Sequence, residues 1–410
     1  MTLRRSHAVA SSALANRPRG NRWGRWRLVR TRHRAKPDRY HSGARTPRRT
    51  SVIRLRLIGA ALVAIVSAAA VTNVTATAAN VSGTRSVLVM LVYVTNPDSV
   101  TPASAADQIG NVDNRWFEEN SYGTFHVSAA STPWMHISAL DCSDLASVLT
   151  QAEAAAISNG FNPATFDHEM VYFPQTAACG FAGIAQLGGR VTWINGHMNT
   201  FATAHELSHN LGLLHAHSIT CTDSGGRQVT LSSSCTTTEQ GDPLDTMGNS
   251  FFVGNVQLEP GGARFIEDSP HLNAAEKAQL GWLAGHIKTV ASATSVRLEP
   301  YETMGRGVKA IKIDSSNRSY WIEYRQPLGA DSFLSEFPGT TDGVLVRTTE
   351  PNDSTDLLDA RPSTVFGLSG SQDFADAALA AGSSWTTPEG VTITVSSARG
   401  TAVRLKIRFR

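Results

Sequence analysis

Cysteine is scarce in this chain: four in 410 residues, at 142, 179, 221 and 235, with no C-x-x-C spacing among them. That pattern argues against a cysteine-ligated structural zinc and leaves two disulfides as the reading for an exported chain. Three connectivities exist. Cys142–Cys179 with Cys221–Cys235 is favoured, the second closing a short loop. An apolar run of the ~20 residues that a bilayer span needs is missing too, since the run 57–71 falls short. Acidic residues are nearly absent from 1–56, which holds 17 Lys/Arg and only Asp38. The net charge of +3 therefore divides into +16 for 1–56 and −13 for the remainder, where 20 bases meet 33 acids. No internal repeat is present, which argues against repeat architectures.

The order Arg54-Leu55-Arg56, apolar run, Ala76-Thr77-Ala78 is that of a secretory signal, with cleavage expected after Ala78 or Ala79. An uncleaved membrane anchor is the alternative. The basic leader 1–56 has too little apolar content to fold and is expected to be disordered. Its arginines suit nucleic acid, but the signal at 57–79 argues against that partner. Translation starting near Val52 would explain the leader equally well. Arg48-Arg49 is a twin-arginine pair, weakened by Ser51 where an apolar residue is wanted.

The chemistry is concentrated in His205-Glu206-Leu207-Ser208-His209-Asn210-Leu211-Gly212-Leu213-Leu214-His215. Histidines at i and i+4 share one helix face and can bind one metal ion. Glu206 is placed to reach a water on that metal rather than the metal itself. Gly212 can take positive φ, ending the helix and bringing His215 round as a third ligand. Three neutral ligands leave the fourth zinc position to water, the mark of a catalytic site. One catalytic Zn2+ is the expected cofactor; no motif indicates Ca2+.

Elsewhere, 86–94 is an apolar run of strand length, read as a buried first strand. Residues 116–123 read as a short helix, 124–127 as a strand and 145–158 as a helix packed on the sheet. At 168–173 another buried strand is expected, with His168 and Glu169 structural. The alternation of Arg190, Val191, Thr192 and Trp193 suits a strand near a sheet edge. Asn199 or Thr200 should cap a helix running to Leu211. Residues 216–241 read as a polar loop, with His217 a loop histidine. Residues 242–249 read as a turn segment around Met247, and 274–280 as a helix. From about 288, short strands at 295–298, 308–313, 320–324, 344–348, 391–395 and 403–409, with one helical stretch at 374–381, suggest an antiparallel β-sandwich.

The long histidine motif followed 32 residues later by Met247 resembles the metzincin metallopeptidases, and within them the gametolysin family. The residues carrying this are 205–216, Gly241-Asp242-Pro243-Leu244-Asp245-Thr246-Met247-Gly248, and Lys277 with Leu280-Gly281-Trp282-Leu283. Asn120-Ser121-Tyr122-Gly123 and Cys179-Gly180-Phe181-Ala182-Gly183 also look family-like. The tail, at 321–325 and 358–362, is similar to a β-domain that follows some bacterial secreted metallopeptidases.

The resemblance implies an α+β metzincin-type zinc peptidase domain, with a mixed sheet and a long active-site helix, at 80–286. An accessory antiparallel β-sandwich domain would follow at 287–410. It implies His205, His209 and His215 as zinc ligands, Glu206 as general base, Gly212 shaping the ligand set and Met247 beneath the metal. Asp242 and Asp245 would orient either the turn or a ligand histidine. Arg190, Val191, Thr192 and Trp193 would form the cleft edge that binds substrate. Asn249 stands where some metzincins carry a tyrosine. The expected activity is secreted, zinc-dependent endoproteolysis of extracellular protein or cell-wall glycoprotein by a monomer, with no membrane span once the signal is removed. A zinc-stabilised extracellular adhesion protein is the alternative from another class, and a hydrolase for a non-peptide amide is a third.

Overall fold

Residues 87–92 point alternately to two faces: Val87, Val89 and Leu91 to one, Leu88, Met90 and Val92 to the other, all fully buried. Burial on both faces places β1 (Gly83–Tyr93) inside a sheet covered on each side. The computed structural model describes residues 80–248, 269–349, 354–362 and 370–410. They belong to one compact unit, residues 72–410. The expected leader 1–56, the signal segment 57–79 and Asn249 lie outside the described residues.

β2 (Phe125–Ser131), β3 (Met135–His136), β4 (His168–Phe173), β5 (Gly183–Ala185) and β6 (Val191–Asn195) join β1 in the order β2-β1-β4-β6-β5, with β3 paired to β1 off this path. β1, β2, β4 and β6 run parallel, and β5 is antiparallel to β6. Helices α1 (Pro102–Asp107), α2 (Asn114–Asn120), α3 (Leu145–Ser158) and α4 (Thr200–Asn210) surround the sheet. On α3, Val148, Ala152 and Ala156 recur every four residues and pack on Leu88, Met90 and Val92. The opposite face receives Phe117 of α2 with Ala204 and Leu207 of α4. Cys142 and Cys179 are disulfide-bonded, tying the approach to α3 to the loop before β5.

The stretch 216–241 is not the loop expected of it. It forms β7 (Ala216–Thr222), β8 (Gln228–Val229) and β9 (Cys235–Thr238), with Cys221 and Cys235 paired in register and bonded to each other. Ile219 and Cys221 supply the buried face in an otherwise polar strand. After α5 (Ala274–Gln279) come β10 (Ile287–Thr289), β11 (Thr294–Leu298), β12 (Ala310–Asp314), β13 (Ser319–Glu323), β14 (Gly343–Thr349), β15 (Thr355–Leu358), β16 (Leu379–Ala380), β17 (Ser384–Thr386), β18 (Val391–Arg399) and β19 (Ala402–Phe409). One sheet runs β10-β12-β13-β14-β15-β7-β8, and a second runs β11-β19-β18-β17. Ile311, Ile313, Tyr320 and Val346 of the first share a core with Val296, Ile393, Val395 and Leu405 of the second.

Three expectations for 287–410 are corrected here. The strands are not purely antiparallel, because β10–β12 and β15–β7 pair in parallel. Nor is 286/287 a seam between sheets: β7, β8 and β9 complete the sheet built by the later strands, since β15 covers the edge that β7 would otherwise expose. The stretch 374–381 is not a regular helix but the end of a 3-10 turn, Gly370–Asp376, followed by β16. Ala375, Ala377 and Ala378 are all buried there, leaving no polar helix face for water. Among the described residues, no helix is long and apolar enough to cross a membrane.

Candidate metal centre and active site

Asn199 caps α4, its side chain accepting from the Ala202 amide at 3.1 Å. The helix ends at Gly212, whose φ of +99° only glycine adopts freely. Asn210 fixes this end to the first sheet, donating to the Gln186 and Val191 carbonyls at 2.9 and 3.2 Å and lying 3.2 Å from His168 Nδ1. On the other side, Thr203 donates to buried Asp113 at 2.6 Å. The chain reversal at Gly212 brings His215 to the helix face carrying His205 and His209. One ring nitrogen from each of the three lies within 4.8 Å of the others.

Hydrogen bonds on the far side of each ring decide which nitrogen faces inward. His205 Nδ1 donates to the Thr246 carbonyl at 2.7 Å, and His209 Nδ1 to the Leu213 carbonyl at 2.8 Å. His215 Nδ1 donates to Glu239 Oε1 at 2.6 Å. Carbonyl and carboxylate oxygens only accept, so each neutral ring holds its proton on Nδ1 and presents an Nε2 lone pair as acceptor. Nε2 of His209 and His215 face each other at 3.1 Å. Lone pairs so close repel unless a cation lies between them, and Zn–N bonds of about 2.0–2.1 Å suit the spacing. Burial, then the neighbouring His209, depresses His205 to about 3, which keeps it neutral as a ligand must be. An imidazole set of this kind fits a transition-metal ion, zinc among them.

Glu206 is buried beside the triad, and burial pushes its carboxyl up to about 8. Among the described residues its Oε2 has no hydrogen-bond partner. Its other oxygen lies against Gly183 of β5, where an added Cβ would stand 2.5 Å from Oε1. Gly183→Ala is therefore expected to displace the carboxylate with the fold intact. Steady-state kinetics should show a loss of about 10²-fold in kcat/KM, the scale of a 1 Å misplacement, with unchanged metal content. An unaltered rate would show that this contact does not matter.

The triad and Glu206 line an open cleft of about 300 Å³ together with Gly183, Ile184, Ala185, Leu187, Leu214 and Gln240. This corrects the expected cleft edge. Val191, Thr192 and Trp193 lie buried inside the sheet, paired with β4 on one side and β5 on the other. Arg190 turns away to Glu169 at 2.8 Å and to the Pro163 and Phe166 carbonyls. The terminal strand is β5, whose Gly-Ile-Ala is too short and too weakly patterned to signal a strand by itself.

Met247 is fully buried in the core that includes Ala204, Leu207 and Leu213. The turn around it meets the triad through the Thr246 carbonyl. Among the described residues, neither aspartate hydrogen-bonds to a ligand histidine. Asp242 and Asp245 accept from the Leu244 and Met247 amides at 2.9 and 2.7 Å, closing local turns. Their other oxygens reach further, to Arg347 Nε of β14 and to the Asn273 amide, both at 2.7 Å. His217 sits on β7, 2.9 Å from Glu239 Oε2, and is not part of the triad. Glu239 and Gln240, which hold His215 from its two sides, escaped the sequence reading because they follow an uninterrupted polar stretch.

No curated protein is matched by the chain. The family model described as gametolysin peptidase M11 matches residues 84–223, spanning β5, Glu206 and all three histidines and ending before Glu239 and Met247. Residues 84–223 are thus gametolysin-like, as the motif resemblance implied.

Proposed function

We propose that this chain is an exported zinc-dependent endopeptidase with Glu206 as its general base. The observation that carries the reading is the convergence of three Nε2 lone pairs beside the partnerless Glu206 oxygen, next to β5. Zinc held by His205, His209 and His215 would acidify a water and polarise the scissile carbonyl. The cation's charge would oppose the effect of burial and keep Glu206 ionised, so that it takes the proton from the attacking water and passes it to the leaving amine. An extended substrate adds to the edge of β5 by backbone hydrogen bonds. Ile184 and Leu187, 41% and 57% exposed on the cleft wall, favour apolar substrate side chains. We read the fold as a metzincin-type plan whose C-terminal sandwich incorporates β7 to β9. Two disulfides and the leader's signal pattern support export.

The test is hydrolysis of casein by the purified protein. A zinc chelator should abolish it, and one equivalent of Zn2+ should restore it. Activity that survives chelation with no residual metal would sink the proposal. So would a zinc-loaded protein that cleaves nothing, the behaviour of an adhesion protein.

A further inference from the structure

We propose, building on the peptidase reading, that Gln240 is a catalytic residue whose carboxamide N–H stabilises the oxyanion formed on the substrate carbonyl. Its backbone has φ of +52°, in the left-handed region that non-glycine residues rarely enter. Such strain persists only where the surroundings impose it. Here both neighbours are fixed. Glu239 is bound to His215 and His217 at 2.6 and 2.9 Å, and Gly241 is packed so closely that a Cβ would stand 2.7 Å from the Thr238 carbonyl.

The result of that constraint is the aim of the side chain. Gln240 Nε2 lies 2.8 Å from His215 Nε2, the inward-facing nitrogen, and the residue lines the same cleft as β5. Its N–H donates to that lone pair. Once the lone pair is committed to a metal ion, the N–H loses this acceptor and is free for an oxygen of the substrate beside the metal. Among the described cleft-lining residues, Gln240 is the only side chain with a neutral amide donor, and none of them is Tyr, Arg or Lys. An N–H donor beside developing negative charge stabilises it most in a site from which water is excluded.

The chemistry balances without a further reagent. Water oxygen bonds to the carbonyl carbon, its proton goes to Glu206, and the C=O π pair moves to oxygen, where Gln240 donates. Collapse restores C=O and breaks C–N, and the proton on Glu206 goes to the departing nitrogen. Gln240 undergoes no covalent change.

Gln240→Gly removes the carboxamide while tolerating the backbone conformation, and Gln240→Glu keeps the size but replaces donor by acceptor. Both should lower kcat about 10²-fold, with KM within about threefold of the parent. Affinity for a phosphinic peptide, which mimics the tetrahedral state, should fall by the same factor. Zn2+ affinity and the visible spectrum of the Co2+-substituted protein should not change. Parent-like kcat and phosphinate affinity in Gln240→Gly would overturn the proposal. A loss of Zn2+ affinity or a changed Co2+ spectrum would overturn it too, making Gln240 a metal ligand. If the parent protein itself neither cleaves peptides nor binds the phosphinate, the peptidase reading has failed instead.

Discussion

Glu206→Gln is expected to cut kcat/KM by about 10²–10⁴-fold while one zinc ion stays bound. The substitution keeps the side chain's shape and removes only its ability to take a proton. Glu206 bonds to none of the triad, so metal content and fold should survive. A second readout comes from the metal-free protein. Burial raises the Glu206 carboxyl from 4.5 in the unfolded chain to about 8 in the folded one. Between those values the folded state binds the extra proton, so this group's contribution to stability is present below about 4.5 and is lost as pH rises through 8. Urea titrations of parent and Glu206→Gln over that window should show this downward slope in the difference between the two curves, the other buried titrating groups being common to both. Full activity in the variant would remove Glu206 from the mechanism.

Arg347→Met should cost about 3–5 kcal/mol of stability, because it strands buried Asp242 without its counter-charge and leaves Glu323 to Arg325 alone. Arg347 of β14 is 1% exposed and bonds both to Asp242, at the head of the methionine turn, and to Glu323 of β13. Glu323 also binds Arg325 at 2.8 Å and accepts from the Ala274 amide at the start of α5. Burial would raise the Glu323 carboxyl, but the two guanidiniums outweigh it and hold the group below its ordinary value. The turn carrying the Thr246 carbonyl thus leans on the C-terminal strands. Chemical denaturation measures the loss, and a chelator competition should show weakened zinc binding, because His205 loses its orienting partner. The double variant with Asp242→Asn should recover part of both. A cost below about 1 kcal/mol would mean that the turn does not depend on this pair.

What the sequence disclosed was local. The i, i+4 histidines, the Asn199 cap and the left-handed Gly212 each announce themselves within a few residues. The 145–158 helix and the 168–173 strand do so through their periodicity, and both match the structure at their ends. What it concealed depends on partners distant in the chain. β7 reads as a loop because only its pairing with β15 and the core beyond gives Ile219 and Cys221 somewhere to go. β5 is three small residues long and becomes an edge only because β6 is already inside. Gln240 carries no left-handed signature, as a glycine or asparagine would, so its conformation is imposed by its neighbours.

The parallel pairing of β7 with β15 has a consequence for timing. Ala216, next to His215, is paired with Thr355, so β7, already joined to β8 and β9, gains its second neighbour only after some 140 further residues have been made. The strand leaving the third imidazole is thus closed on both edges only when the end of the polypeptide folds back, so this side of the triad would reach its final form last in synthesis.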